Sequence, residues 1–277
     1  MITVETFDTL AAASSAMAGA GSGTRAGAGG SCYMGGGTLV MRAVNYGDGD
    51  FSRILRSRDP ALLRIEPDGG CVFIGAGATM AAIAGHRETA FLAEAATAVG
   101  GPAIRNMATL GGNLFAPPPY GDLSTALLAL DARVRTADGQ ETPMESFFAR
   151  RRMTGPLVAG VTVPRPEPPG VLRFRKVTRV RPKGVSVMAI AVRLPFRSGR
   201  LAGVRIAFGA MGPTPVRAKS AESALEGGGL EDARIARAAE TLAHDLAPAD
   251  DALASAWYRQ AVAPVHLARL LRSAREG

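Results

Sequence analysis

The seven-residue stretch PRPEPPG at 164–170 constrains the fold of this chain more than any other feature. Each proline removes a backbone donor and holds the preceding residue out of the helical region, so neither a helix nor a central strand continues through it. The patterning on its two sides differs. Before it, short strands alternate with helices and glycine turns. After it, RFRKVT, VSVMAIAVRL and RLAGVRIAFGAM read as three strands of an antiparallel meander. Helices then follow near 219–225, 231–246 and 252–273. Strands followed by helices make an α+β arrangement. The expected division is therefore 1–166 and 167–277.

Within the first part, DTLAAASSAMA (8–18) reads as a helix with Asp8 as its N-cap. Residues 19–31 are rich in Gly, Ala and Ser and read as a flexible loop. CYM (32–34) and CVFIG (71–75) read as strands, 88–98 as a helix, and DLSTALLALDA from Asp122 as a helix with leucines at helical spacing. RVRTA is a strand, PMESFFA a short helix, and LVAGVTVP (157–164) alternates like a strand.

Composition narrows the function classes. The net charge is +8, and nearly all of the positive charge is arginine, dense at Arg150 to Arg152 and from Arg173 to Arg181. Such charge suits nucleic acid, anionic lipid, an anionic cofactor or an acidic partner. No zinc-finger spacing, basic heptad helix or aromatic RNA platform accompanies it, so nucleic acid is not expected. Cys32 and Cys71 form no CxxC pair, and His86, His244 and His266 are isolated in sequence, so no metal site is expected from this chain. The N-terminus lacks a basic signal region and no long uncharged apolar run exists. A cytoplasmic protein without a membrane span is expected.

Two glycine-rich elements carry the chemistry. Gly35-Gly36-Gly37-Thr38 follows a strand, and Thr109-Leu110-Gly111-Gly112-Asn113 lies about 70 residues on. Glycine lets backbone approach a ligand, and successive N–H groups can point at one anion. Each could equally be a tight turn. GAGATM (75–80) is weaker as a dinucleotide fingerprint, because Met80 occupies the third glycine position.

The run IRNMATLGGNLFAPPPYGDLSTALLALDARV (104–134) closely resembles the FAD-binding subunits of the molybdenum hydroxylases: xanthine dehydrogenase, carbon monoxide dehydrogenase and aldehyde oxidoreductases. In that family an IRN–T–GGN loop is followed nine residues after the Asn by an Asp, and Asn113 and Asp122 keep that spacing. YMGGGTLVM (33–41), IGAGATMAAI (74–83), FRKVTRVRPKGVSVMAIAV (174–192) and SAWYRQAVAPVHLARLL (255–271) resemble further family segments in the family's order.

The resemblance implies a PCMH-type FAD-binding domain of two α/β subdomains, followed by a C-terminal domain with a three-stranded antiparallel sheet and a helix bundle. It implies that Tyr33, Met34, Gly35, Gly36, Gly37, Thr38, Leu39 and Val40 wrap the FAD diphosphate and ribityl chain. Thr109, Leu110, Gly111, Gly112 and Asn113 would do so from the other side. Asp122 would accept hydrogen bonds from cofactor hydroxyls, or cap its helix, or both. Val158 matches a backbone contact, and Lys176 a cation near the flavin ring that would favour anionic reduced flavin. FAD would bind non-covalently in a cleft of the first domain, closed by the second.

The sequence departs from the family where an Asp usually follows the Lys by seven to nine residues; here Lys183-Gly184-Val185 stand instead. Leu39 replaces a usual polar residue. The missing acid and the basic Arg179, Arg181 and Lys183 point to oxygen, a quinone or a carrier protein as acceptor rather than NAD.

The implied function is an electron-transfer subunit of a heterotrimer that dimerises. A small subunit would carry 2Fe–2S clusters, and a large molybdopterin subunit would hydroxylate substrate. No catalytic residue is expected in this chain. A stand-alone PCMH-type flavin reductase and a flavin-free assembly or scaffold relative remain open on the residues alone.

Overall fold

The computed structural model describes residues 2–19, 30–150, 157–180 and 184–276. Most of the glycine- and alanine-rich stretch, Arg151, Arg152, Arg181 and the departure at Lys183 lie outside the described residues.

The chain runs β1 (Thr3–Phe7), α1 (Leu10–Gly19), β2 (Gly30–Tyr33), α2 (Val40–Tyr46), β3 (Phe51–Ser57), β4 (Ile65–Asp68), β5 (Cys71–Gly75) and α3 (Met80–Gly85). Next come α4 (Ala93–Thr97), α5 (Pro102–Arg105), α6 (Leu110–Phe115), α7 (Asp122–Ala129), β6 (Arg133–Thr136), β7 (Glu141–Pro143), α8 (Met144–Arg150) and β8 (Val158–Pro164). The linker leads to β9 (Leu172–Thr178), β10 (Ser186–Arg193), the hairpin β11 (Phe196–Arg197) and β12 (Arg200–Leu201), β13 (Arg205–Gly209) and β14 (Val216–Arg217). Helices α9 (Lys219–Leu225), α10 (Asp232–Glu240) and α11 (Ala256–Glu276) follow.

Two compact units form, and they are not contiguous in sequence. The first contains 1–90, 101–116 and 132–163; the second contains 91–100, 117–131 and 164–277. Packing therefore assigns α4 and α7 to the second unit, although both precede the linker. The linker marks where the patterning changes, and apolar packing reaches back across it.

The first unit holds two sheets. In one, β3 lies between β1 and β2 and pairs in parallel with both. Parallel neighbours need crossovers, which α1 and α2 supply. Helix α1 is capped by Thr9, whose Oγ1 accepts from Ala12 N–H at 3.2 Å, rather than by Asp8. Asp59, at the end of β3, takes the Leu10 N–H at 3.0 Å. The second sheet has the order β4-β5-β8-β6-β7. Val72, Ile74, Val134 and Val161, from its three central strands, are all fully buried.

The second unit is built on an antiparallel sheet of order β14-β13-β10-β9. Three of these strands are legible in the sequence; β14 has only two residues, too short to show an alternating pattern. Ile190, Val192, Ile206 and Phe208 point to one face and pack with α9, α10 and α11. Side chains alternate across a strand, so Ala189, Ala191, Ala207 and Gly209 line the other face. Helix α7 lies there: a Cβ on Gly209 would meet Thr125 Oγ1 at 2.4 Å. All eight residues of α7 are buried, as expected of a helix that is largely apolar around its circumference. The expected helix over 88–98 is instead a 3₁₀ segment, Arg87–Leu92, followed by α4. Thr89 is non-helical there, and its hydroxyl donates to Ile83 O at 2.7 Å, which competes with continuous helix.

Candidate functional site

The first glycine loop leaves the C-terminal end of β2, the edge at which open parallel sheets bind ligands. Met34 N–H still donates to Leu55 O at 2.8 Å, completing the ladder. Beyond it, the N–H groups of Gly35, Gly36, Gly37, Thr38 and Leu39 find no acceptor among the described residues. Five consecutive free donors on a half-exposed loop are a donor set for an anion with several oxygens, and a diphosphate is such an anion. Tyr33 and Met34 flank the loop at the strand end, and Val40 starts α2. Burial pushes the Tyr33 phenol up, against the Ser57 backbone N–H and with Asp59 adding to the rise.

The second loop is built differently. Its glycines bring backbones together. An added Cβ on Gly36 would stand 1.5 Å from Met107 O, and one on Gly35 2.7 Å from Thr109 Oγ1. The first loop therefore rests directly on the segment that precedes α6. The GAGATM turn joins from the other side: Met80 N–H donates to Ala108 O, Leu110 N–H to Ala78 O and Gly111 N–H to Ala76 O, at 2.8–2.9 Å. Thr79 and Thr109 cap α3 and α6 in the same way, accepting from Ala82 and Gly112 N–H.

These bonds occupy the main-chain donors of the second loop. The amides of Leu110 and Gly111 go to carbonyls of the neighbouring turn, that of Gly112 to its capping threonine, and that of Asn113 to Thr109 O at 2.9 Å. None of them is left to cradle an anion. What Thr109 brings beside the first loop is a hydroxyl, on a residue 7% exposed; Asn113 is 8% exposed on the first turn of α6. Gly112 also has more room than expected, since a Cβ there meets only Thr109 Oγ1, at 3.3 Å.

In the second unit, Asp122 and Lys176 meet. Gly121, at φ 102, is the N-cap of α7, so Asp122 stands at the first helical position and is not the cap. Its Oδ2 accepts from Lys176 Nζ at 2.8 Å, and its Oδ1 accepts from the hydroxyl of Ser186. Lys176 Nζ also donates to Ala98 O, at the end of α4, at 2.7 Å. The lysine is thus neutralised by a carboxylate at contact distance, which removes most of the unscreened field that a lone cation would exert on a flavin. Ser186 and Ala98 escaped the sequence reading because their partners lie 64 and 78 residues away and no local motif marks them. Val158 is buried at the start of β8, opposite Thr136.

Among the described residues, no group of three or more His, Cys, Asp or Glu could hold a metal ion. Burial raises the Cys32 thiol, which makes it a poor attachment nucleophile beside the first loop. No described helix is long and apolar enough to cross a membrane.

Comparison with known proteins identifies the family. The family described as FAD binding domain in molybdopterin dehydrogenase matches residues 7–166, and the carbon monoxide dehydrogenase flavoprotein C-terminal domain matches 173–274. The chain is 27% identical over 246 residues to the putative xanthine dehydrogenase FAD-binding subunit of Escherichia coli, covering 82% of each. It is 26% identical over 174 residues to the glyceraldehyde dehydrogenase medium chain of Sulfolobus acidocaldarius, covering 60% of this chain and 61% of that one. A chain of carbon monoxide dehydrogenase from Hydrogenophaga pseudoflava shares the fold at TM-score 0.90 and 22% identity, over 99% of this chain and 97% of that one. The chain belongs to the family of FAD-binding domains of molybdopterin dehydrogenases, and FAD is its cofactor.

Proposed function

We propose that this chain is the FAD-carrying electron-transfer subunit of a heteromeric molybdenum hydroxylase. A small partner would supply electrons from 2Fe–2S clusters, a large partner would hydroxylate substrate at a molybdopterin centre, and this chain would hand the electrons to an external acceptor. A dimer of heterotrimers is the assembly proposed. The relatives named as FAD-binding subunit and medium chain support the division of labour. A reducing, cytoplasmic compartment fits the two free cysteines. The contiguous domains 1–166 and 167–277 are proposed as the inherited units, on the matched ranges 7–166 and 173–274.

The observation that carries the cofactor assignment is the run of amides from Gly35 to Leu39, which find no acceptor among the described residues. We propose that they take the FAD diphosphate, with Tyr33, Met34 and Val40 beside it. Thr109, Leu110, Gly111, Gly112 and Asn113 support that loop, with Thr109 and Asn113 contributing side-chain contacts. Asp122 keeps lone pairs for a cofactor hydroxyl, Val158 offers its backbone, and Lys176 orients the carboxylate. When bound, FAD supplies two-electron storage between the partner clusters and the acceptor.

Isolation of the tagged chain from its native host tests the proposal. Brown cluster-containing and molybdenum-containing subunits should co-purify, and anaerobic substrate should bleach the flavin. A chain that elutes alone, with a flavin that no substrate of the complex reduces, would contradict it. We also infer an acceptor other than NAD, supported by Arg179 and the basic residues that follow it; anaerobic addition of NAD to the substrate-reduced complex should then yield no rapid NADH.

A further inference from the structure

Ser186 is buried at the first position of β10, 1% exposed, and its hydroxyl donates to Asp122 Oδ1. On the other side of the same carboxylate, Lys176 on β9 donates to Oδ2 at 2.8 Å. Lys176 is itself fixed by Ala98 O at 2.7 Å. A carboxylate on the first turn of a helix can rotate about its last two side-chain bonds; one donor on each oxygen, from adjacent strands of one sheet, leaves a single orientation. Each oxygen retains a second acceptor direction.

We propose that Ser186 is a positioning residue that holds the Asp122 carboxylate oriented toward the FAD hydroxyls. This rests on the reading that Asp122 contacts the cofactor. Removing the hydroxyl leaves a 6%-exposed carboxylate with one fixed oxygen and one without a donor, so the side chain turns or recruits water. A hydrogen bond to a charged group has an effect large enough that its loss should weaken FAD binding about ten- to a hundredfold.

The full-length chain is stripped of flavin and titrated with FAD, for the wild type, Ser186→Ala, Ser186→Cys, Ser186→Thr, Asp122→Asn and the double variant Ser186→Ala/Asp122→Asn. Ser186→Ala and Ser186→Cys should lose affinity, the cysteine keeping the volume but not the strong donor. Ser186→Thr, which keeps a hydroxyl, should recover most of it. Asp122→Asn should lose at least as much as Ser186→Ala, and the double variant no more than Asp122→Asn alone. A fall in melting temperature with unchanged FAD affinity in Ser186→Ala and Ser186→Cys would overturn the proposal, because the serine would then be structural only. Additive losses in the double variant would also overturn it. A wild-type chain that binds no FAD would instead sink the underlying cofactor assignment, and Asp122→Asn with full affinity the Asp122 contact.

Discussion

Lys176 Nζ and Asp122 Oδ2 lie 2.8 Å apart across 54 residues of sequence, with side chains 15% and 7% exposed. The pair ties α7, which precedes the linker, to β9, which follows it. Asp131, beyond the other end of α7, is held by Arg193 at 3.1 Å and by Arg205 at 2.9 Å. The helix is thus clamped at both ends by the second unit's sheet.

Breaking the first clamp from one side should be costly. Lys176→Met leaves a buried carboxylate without its counter-charge, which costs about 3 kcal/mol. The double variant Lys176→Met/Asp122→Leu removes both charges and should be less destabilised than the single one. Urea denaturation of the three proteins compares them; a double variant worse than Lys176→Met would show that the pair does not act as a unit.

A chain ended at residue 166 should not reach a native state. It keeps α7 but loses β10 and β13, against which α7 packs. Leu123, Leu127 and Leu128, at most 2% exposed in the full chain, each contribute about 2 kcal/mol through burial. Dispersion in an amide NMR spectrum, or dye binding to exposed apolar surface, distinguishes the outcomes. A well-dispersed spectrum for 1–166 would contradict the packing account.

Gly36→Ala should abolish FAD binding, because its Cβ would fall 1.5 Å from Met107 O and the two loops would separate. Gly112→Ala should leave the melting temperature close to that of the wild type, since the better helix former in α6 offsets a tight 3.3 Å approach to the single side-chain atom Thr109 Oγ1. Flavin content and thermal melts of both variants check this; equal flavin content in the two would show that loop contact is not what shapes the site.

The melting temperature should depend on His266. Burial lowers its pKa, with Arg269 and then Arg175 adding to the fall, and its buried Nδ1 has no hydrogen-bond partner among the described residues. In the folded chain it stays neutral while the unfolded chain takes up a proton. Stability is therefore lost as pH falls through the unfolded value of about 6.5, until the folded value is reached. His266→Gln, which does not titrate, should flatten the slope of melting temperature against pH between about 7 and 5 relative to wild type. An unchanged slope would place the acid sensitivity elsewhere.

The sequence made much of the fold and part of the site legible, for separable physical reasons. Proline-rich punctuation and the apolar run VSVMAIAVRL reported the linker and β10, because both are local. The glycine loops were visible because only glycine tolerates the Gly36 approach, yet their separate tasks were not. Which amides stay free depends on the carbonyls of Ala76 and Ala78, over 30 residues from the second loop. The same holds for Asp122: its helical start was evident, while its partners Lys176 and Ser186 come from strands that tertiary packing alone brings near.

The most direct test of the account is the flavin stoichiometry of the full chain after acid precipitation. One FAD per chain should appear in the supernatant, displaced from the Gly35–Leu39 amides as the protein unfolds. A colourless chain that FAD does not restore, or a pellet that keeps its yellow colour, would contradict a non-covalent FAD site on that loop.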